Sequence, residues 1–138
     1  MTFYAMSQIE RRAGKLVKAR EHAEDGLKLL KQMGDRKNQA SVFFQLSWVD
    51  TELDANQMAL DEAYDSLAIY RDMKDEWATA RLLLHMGDVL GKLDRVVEAR
   101  ETWQEGLVLA TRIGHPSVEA LHERLNLADN RPSGQPHI

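Results

Sequence analysis

The chain has 138 residues, 43% hydrophobic and 29% charged, enough to bury a real core and unlike a disordered composition. Its formal net charge of −4 argues against direct nucleic-acid binding, and no apolar run approaches the ~20 residues that a membrane span requires. It has no cysteine, which removes disulfides and thiol chemistry and suits a cytoplasmic protein; the start MTFYAMSQIERR lacks the pattern of a secretory signal.

Apolar residues recur at helical spacing and no segment sustains strand-like alternation, so the predicted class is all-α. A first helix is predicted over 1–13, carrying Phe3, Met6 and Ile9, with Gly14 as a turn. The second spans 15–33, with Ala19, Ala23, Gly26 and Leu27 on one face, and stops at Gly34, a residue suited to a left-handed helix end. Asp35 is the expected N-cap of a third helix, 36–52, and Asp54 the tight turn before a fourth, 55–73. Asp75 is expected to cap a fifth, 76–92, and Asp94 to turn into a sixth, 95–113. Pro116 suits the first turn of a last helix, 116–128. The remainder, 129–138, ending RPSGQPHI, reads as a disordered tail.

These helices repeat at an interval of forty residues. Ala19, Ala59 and Ala99 share one column; Gly26, Ser66 and Gly106 share another. Upstream stand Phe3, Phe43 and Leu83, then Met6, Leu46 and Met86, then Ser7, Ser47 and Gly87, then Ile9, Val49 and Val89. Glycine within a helix costs ~1 kcal/mol relative to alanine, so Gly26 and Gly106 predict close helix crossings. Charge is unevenly spread. Residues 1–40 hold nine Lys or Arg against five Asp or Glu, and residues 41–80 hold two against nine.

On these columns the chain resembles tetratricopeptide repeats, in a lengthened form of about 40 residues instead of 34. The matching residues in the third row are Leu83, Met86, Gly87 and Leu90, then Val96, Ala99, Trp103, Gly106 and Leu107. Two columns depart from the pattern. A buried Tyr or Leu column holds Glu10 and Asp50 before Leu90, and the large aromatic column holds Ala23 and Ala63 before Trp103.

The resemblance implies an α-solenoid over 1–128: three helical hairpins, at about 1–35, 36–75 and 76–115, and a capping helix at 116–128. The first row lacks its opening turn, so the chain reads as the C-terminal sensor or effector arm of a larger signalling or transcriptional regulator.

The resemblance also implies a concave groove for a protein or peptide. Its columns are Tyr4, Gln8, Arg11 and Arg12, then Ser41, Phe44, Gln45, Trp48 and Glu52. They continue with Arg81, Leu84, His85, Asp88 and Lys92, and with Arg124 and Leu125 from the cap. Trp48 is the expected exposed anchor, and Trp103 is expected in the core. The clamp of lysines and asparagines that one sub-family uses for acidic chaperone tails is kept only in its third-row basic pair: its columns hold Tyr4, Gln8, Gln45, Arg81 and His85, without the first-row lysine or either asparagine.

No enzymatic motif stands out. His122-Glu123 begins a zinc-protease pattern that fails at Asn126, and there is no glycine-rich phosphate loop or nucleophile elbow. His85 and Asp88 are the best pair of metal-ligand types, without an evident third. Asp61-Glu62 is expected on a solvated face. The functional expectation is a non-enzymatic binding scaffold without cofactor or metal. The alternative is a self-assembly module stacking through its N-terminal end, with a weak homodimer expected.

Overall fold

Helix ends set the layout. Among the described residues five take positive φ, at intervals of twenty: Gly34 (70°), Asp54 (61°), Lys74 (57°), Asp94 (59°) and Gly114 (69°). At four of these ends the next residue's N–H reaches back five positions, from Asp35 to the Leu30 carbonyl at 3.0 Å, Ala55 to Asp50 at 2.7 Å, Arg95 to Leu90 at 2.9 Å and His115 to Ala110 at 2.9 Å. This closure satisfies orphan carbonyls of the last turn and reverses the chain.

A computed structural model describes the backbone of residues 3–130 and the side chains of residues 11–130. Among them the protein is all-helical: α1 (Phe3–Met33), α2 (Arg36–Glu52), α3 (Asn56–Asp72), α4 (Glu76–Lys92), α5 (Val96–Ile113) and α6 (Val118–Asp129). Residues 131–138 of the expected tail lie outside the described residues, and Asp129 is helical. No helix described is long and apolar enough to cross a membrane. The chain divides into two compact units, Met1–Met73 and Lys74–Ile138.

In the first unit α2 and α3 form an antiparallel hairpin. Two buried serines bridge it: the Ser47 hydroxyl donates to the Ala59 carbonyl at 2.6 Å, and the Ser66 hydroxyl to the Ala40 carbonyl at 2.8 Å. Small side chains let the backbones approach, and each hydroxyl is satisfied where it would otherwise be costly. Asp35 caps α2 as expected, accepting from the Asn38 N–H at 3.2 Å. The α1 helix lies along α2, held by Arg20 on Asp50 and by a Gln39 amide bond to the Leu30 carbonyl at 3.2 Å.

In the second unit α4 and α5 form the equivalent hairpin with different chemistry. Both serine columns are glycine there, and a Cβ on Gly87 would run into the Trp103 indole. A Cβ on Gly106 would stand 3.2 Å from Leu83 Cβ and 3.3 Å from Leu121 Cδ2. Thus Gly87 and Trp103 occupy the columns that hold Ser47 and Ala63 in the first unit. The aromatic departure is an exchange of volume between facing helices. Asp75 caps α4, accepting from the Ala78 N–H at 3.1 Å. Pro116 precedes the last helix instead of opening it. Its neighbour Ser117 is the N-cap, with its N–H donating to His115 Nδ1 at 3.1 Å.

The first expected hairpin is corrected. Helix α1 runs through Gly14 without a break, and its flanks, Glu10 to Ala13 and Lys15 to Leu16, are strong helix formers. The expected close crossing at Gly26 is absent for the same reason: a Cβ there meets nothing within 4 Å. Two substitutions test this contrast in urea melts. Gly87→Ala is expected to cost about 1–3 kcal/mol by overpacking against Trp103. Gly26→Ala is expected to add up to about 1 kcal/mol through helix propensity.

Candidate interaction surfaces

The groove columns fall into two sets, one in each unit, and the fold sorts them by burial. On α2, Gln45 and Trp48 are surface residues, and Trp48 is 49% exposed, as expected of an anchor. Ser41 is half-buried, 3.3 Å from the Tyr70 hydroxyl. Glu52 is paired with Arg12 at 2.5 Å, and Arg11 is exposed. Phe44 is corrected: only 4% exposed, it belongs to the core, because its position on α2 turns inward with Ala40 and Ser47. The side chains of Tyr4 and Gln8 lie outside the described residues.

On α4, Arg81 and Lys92 are exposed and Leu84 is half-buried. His85 and Leu125 are corrected in the same way as Phe44, both being buried. Burial holds His85 neutral, with its pKa lowered to about 4 despite nearby Asp88. Asp88 is a structural knot. It accepts from Trp103 Nε1 at 3.2 Å and from Arg124 Nε at 2.8 Å and Nη2 at 3.3 Å, tying α4 to α5 and α6. Arg124 is correspondingly held charged, chiefly by this bond.

Sequence reasoning missed two features. The first is an apolar pocket of about 180 Å³ in the second unit, lined by Gly91, Val96, Ala99, Trp103, Leu127 and Ala128 with Arg124 at its edge. Gly91 opens it, since a Cβ there would meet only the far end of the Trp103 ring at 3.8 Å. Two glycines four apart on α4, facing one tryptophan, were the available signal. Leu127, at 68% exposure, is the pocket's most open apolar wall.

The second is a buried acidic cluster in the first unit. Asp50 is wholly buried and paired with Arg20, whose Nε donates to Asp50 Oδ1 at 2.6 Å. Glu62, expected on a solvated face, is half-buried beside it, whereas its neighbour Asp61 is exposed. Asp50 Oδ2 and Glu62 Oε1 receive no N–H or O–H donor among the described residues. A proton kept by Glu62 supplies the donor between the carboxyls. Its pKa is raised to about 9, first by burial, then by its hydrogen bond to Asp50 and by that anion. The visible clue was Asp50 itself, an acid in an apolar column.

No family model matches the chain, and no curated protein matches it.

Glu62 and His85 act on stability with opposite signs. The folded state holds the Glu62 proton from pH 4.5 to about 9, so that contribution is present at low pH and is lost as pH rises through this window. The unfolded state protonates His85 first, so stability falls as pH drops from 6.5 towards 4. Hydrogen exchange between pH 6.5 and 9, corrected for intrinsic rates, is expected to show α2 and α3 loosening relative to α4 and α5. Glu62→Gln, which keeps a donor for Asp50, is expected to flatten that trend.

Proposed function

We propose that this chain is a non-enzymatic scaffold of the tetratricopeptide-repeat kind, its hairpins stacked as an α-solenoid, that binds a protein or peptide segment. Such an array serves as the sensor or effector arm of a larger regulator. The observation that carries this reading is the pocket between α4, α5 and α6. At about 180 Å³ it is smaller than the roughly 300–1,000 Å³ of small-molecule and cofactor sites. It suits one large apolar side chain projecting from a partner. Its walls are apolar, so the guest gains by leaving water.

The exposed Trp48, with Gln45 beside it, offers a separate aromatic contact on the first unit. Tryptophan is favoured at interface hot spots because it buries a large area with few rotatable bonds. The ligand class is an amphipathic segment, helical or extended, with a bulky apolar anchor. Arg81 and Lys92 give the exposed positions of α4 a cationic character, so acidic residues beside the anchor are favoured.

The test is selection from a displayed peptide library, followed by titration of the selected peptides against variants. Gly91→Leu fills the pocket and is expected to weaken binding at least tenfold while leaving the urea midpoint close to wild type. Trp48→Ala is expected to cost about 2 kcal/mol or more where it anchors the ligand. Trp77→Ala is the control; it is 54% exposed, its ring lies 4.4 Å from the His115 ring, and it stands at the end of α4 opposite Gly91. Equal affinities for wild type, Gly91→Leu and Trp48→Ala would remove both surfaces as the binding site.

A further inference from the structure

The walls and the edge of the pocket between α4, α5 and α6 discriminate among apolar guests. Trp103 is its fixed wall. The residue is 9% exposed, the pyrrole half of its indole lies against Gly87, and Nε1–H donates to Asp88 Oδ1 at 3.2 Å. The ring is thereby held in one orientation. Its six-membered half runs on to Gly91, where a Cβ would stand 3.8 Å from Trp103 Cη2.

The remaining walls, Val96, Ala99, Leu127 and Ala128, have no side-chain hydrogen-bonding group. Arg100 braces the α6 side by donating to the Ala128 carbonyl at 3.2 Å. The space, about 180 Å³, is close to the roughly 150 Å³ of an apolar cavity that takes up benzene.

The edge is cationic. Arg124 binds Asp88 through Nε at 2.8 Å and Nη2 at 3.3 Å, so the two N–H groups of Nη1 have no partner among the described residues. Pairing through two nitrogens fixes the guanidinium plane, and those donors are in place before a guest arrives. Lys92, exposed one turn beyond Asp88 on α4, offsets the field of the Asp88 carboxylate.

We propose that the pocket takes a phenyl ring with a carboxylate close by: a phenylalanine of the partner beside an aspartate or glutamate. This guest is a narrower form of the bulky apolar anchor already assigned to the pocket, and it rests on that reading. The ring fills the space against the six-membered half of Trp103, and the carboxylate meets the Nη1 donors of Arg124 at the mouth. Leucine and isoleucine fill the same space but forgo the ring-to-ring contact and the attraction of a cation for a π face. Tyrosine would carry a hydroxyl in among side chains that offer it no acceptor, which is costly on burial.

Four matched probes test this on the full chain: 3-phenylpropionate, 3-phenylpropanamide, 3-cyclohexylpropionate and 3-(4-hydroxyphenyl)propionate. Binding is read by NMR from the backbone N–H signals of Gly91, Val96 and Leu127 and from the Trp103 ring N–H. 3-Phenylpropionate is expected to shift these signals with millimolar affinity. The amide is expected to bind about threefold more weakly or worse, and the cyclohexyl and hydroxyphenyl compounds about two- to tenfold more weakly. Gly91→Leu, which fills the space, is expected to remove the shifts. Leu127→Ser, at a wall 68% exposed, is expected to weaken them without changing the urea midpoint.

Equal or tighter binding of any of the other three probes at these signals would overturn the phenyl-carboxylate guest and leave the apolar anchor standing. Shifts elsewhere, shifts that both variants leave intact, or no shifts at all would overturn it as well. The peptide-binding reading falls only if the selected peptides also bind Gly91→Leu and Trp48→Ala as tightly as wild type.

Discussion

A residue held at positive φ every twenty positions is the constraint on which the other packing relations rest. Each such residue follows a helix end, and at the four that lie within a unit the following N–H closes back on the last turn and the chain reverses. Glycine does this at 34 and 114 without steric cost. Asp54 and Asp94 do it inside the hairpins, where a short polar side chain tolerates the left-handed region. Lys74 has no such chemical reason, and it sits where the chain passes from one compact unit to the other. With the reversals spaced evenly, α2 to α5 have 17 or 18 residues each and each facing pair keeps one register. Where the reversal fails, at Gly14, α1 is left with Ala19 exposed in the column that buries Ala59 and Ala99.

Given that register, the two hairpins fill equivalent space in different ways. The α2–α3 pair uses serines whose hydroxyls bond to facing carbonyls, a polar solution that fixes the sliding position as well as the distance. The α4–α5 pair removes both side chains and inserts the Trp103 indole over Gly87. The second solution buries more apolar area, but the large ring brings consequences. Its N–H needs a partner, found in Asp88, and its far edge leaves the notch at Gly91 that becomes a pocket. Packing and pocket are therefore linked through one residue.

The polar interiors differ accordingly. Asp50 takes the column that Leu90 occupies in the second unit, and its charge is met by Arg20 from α1 and a protonated Glu62 from α3. Three helices are thereby joined at one point. A buried ion pair contributes little net stability against a well-packed apolar alternative, but removing either partner is costly. The cluster thus favours one placement of α1 on α2. In the second unit the corresponding task falls to Asp88 with Arg124, nearer the surface.

The sequence by itself determined the helical class, five of the six helices to within about two residues at either end, and the repeat interval, because these follow from local periodicity and from punctuation by Asp and Gly. It also predicted the core place of Trp103 and the exposure of Trp48, through their columns. It did not decide Gly14. A glycine between strong helix formers is compatible with a turn or with continuous helix, and only contacts made elsewhere choose between them. Nor did it separate Phe44, His85 and Leu125 from their exposed neighbours, since the width of a helix's buried stripe depends on how many helices surround it. Glu62 was misread for a related reason: its partner is twelve positions away on another helix, and a carboxyl's protonation state is set by what folding brings beside it. Periodicity is a local property, whereas cover, cavity and charge pairing are properties of the assembled helices.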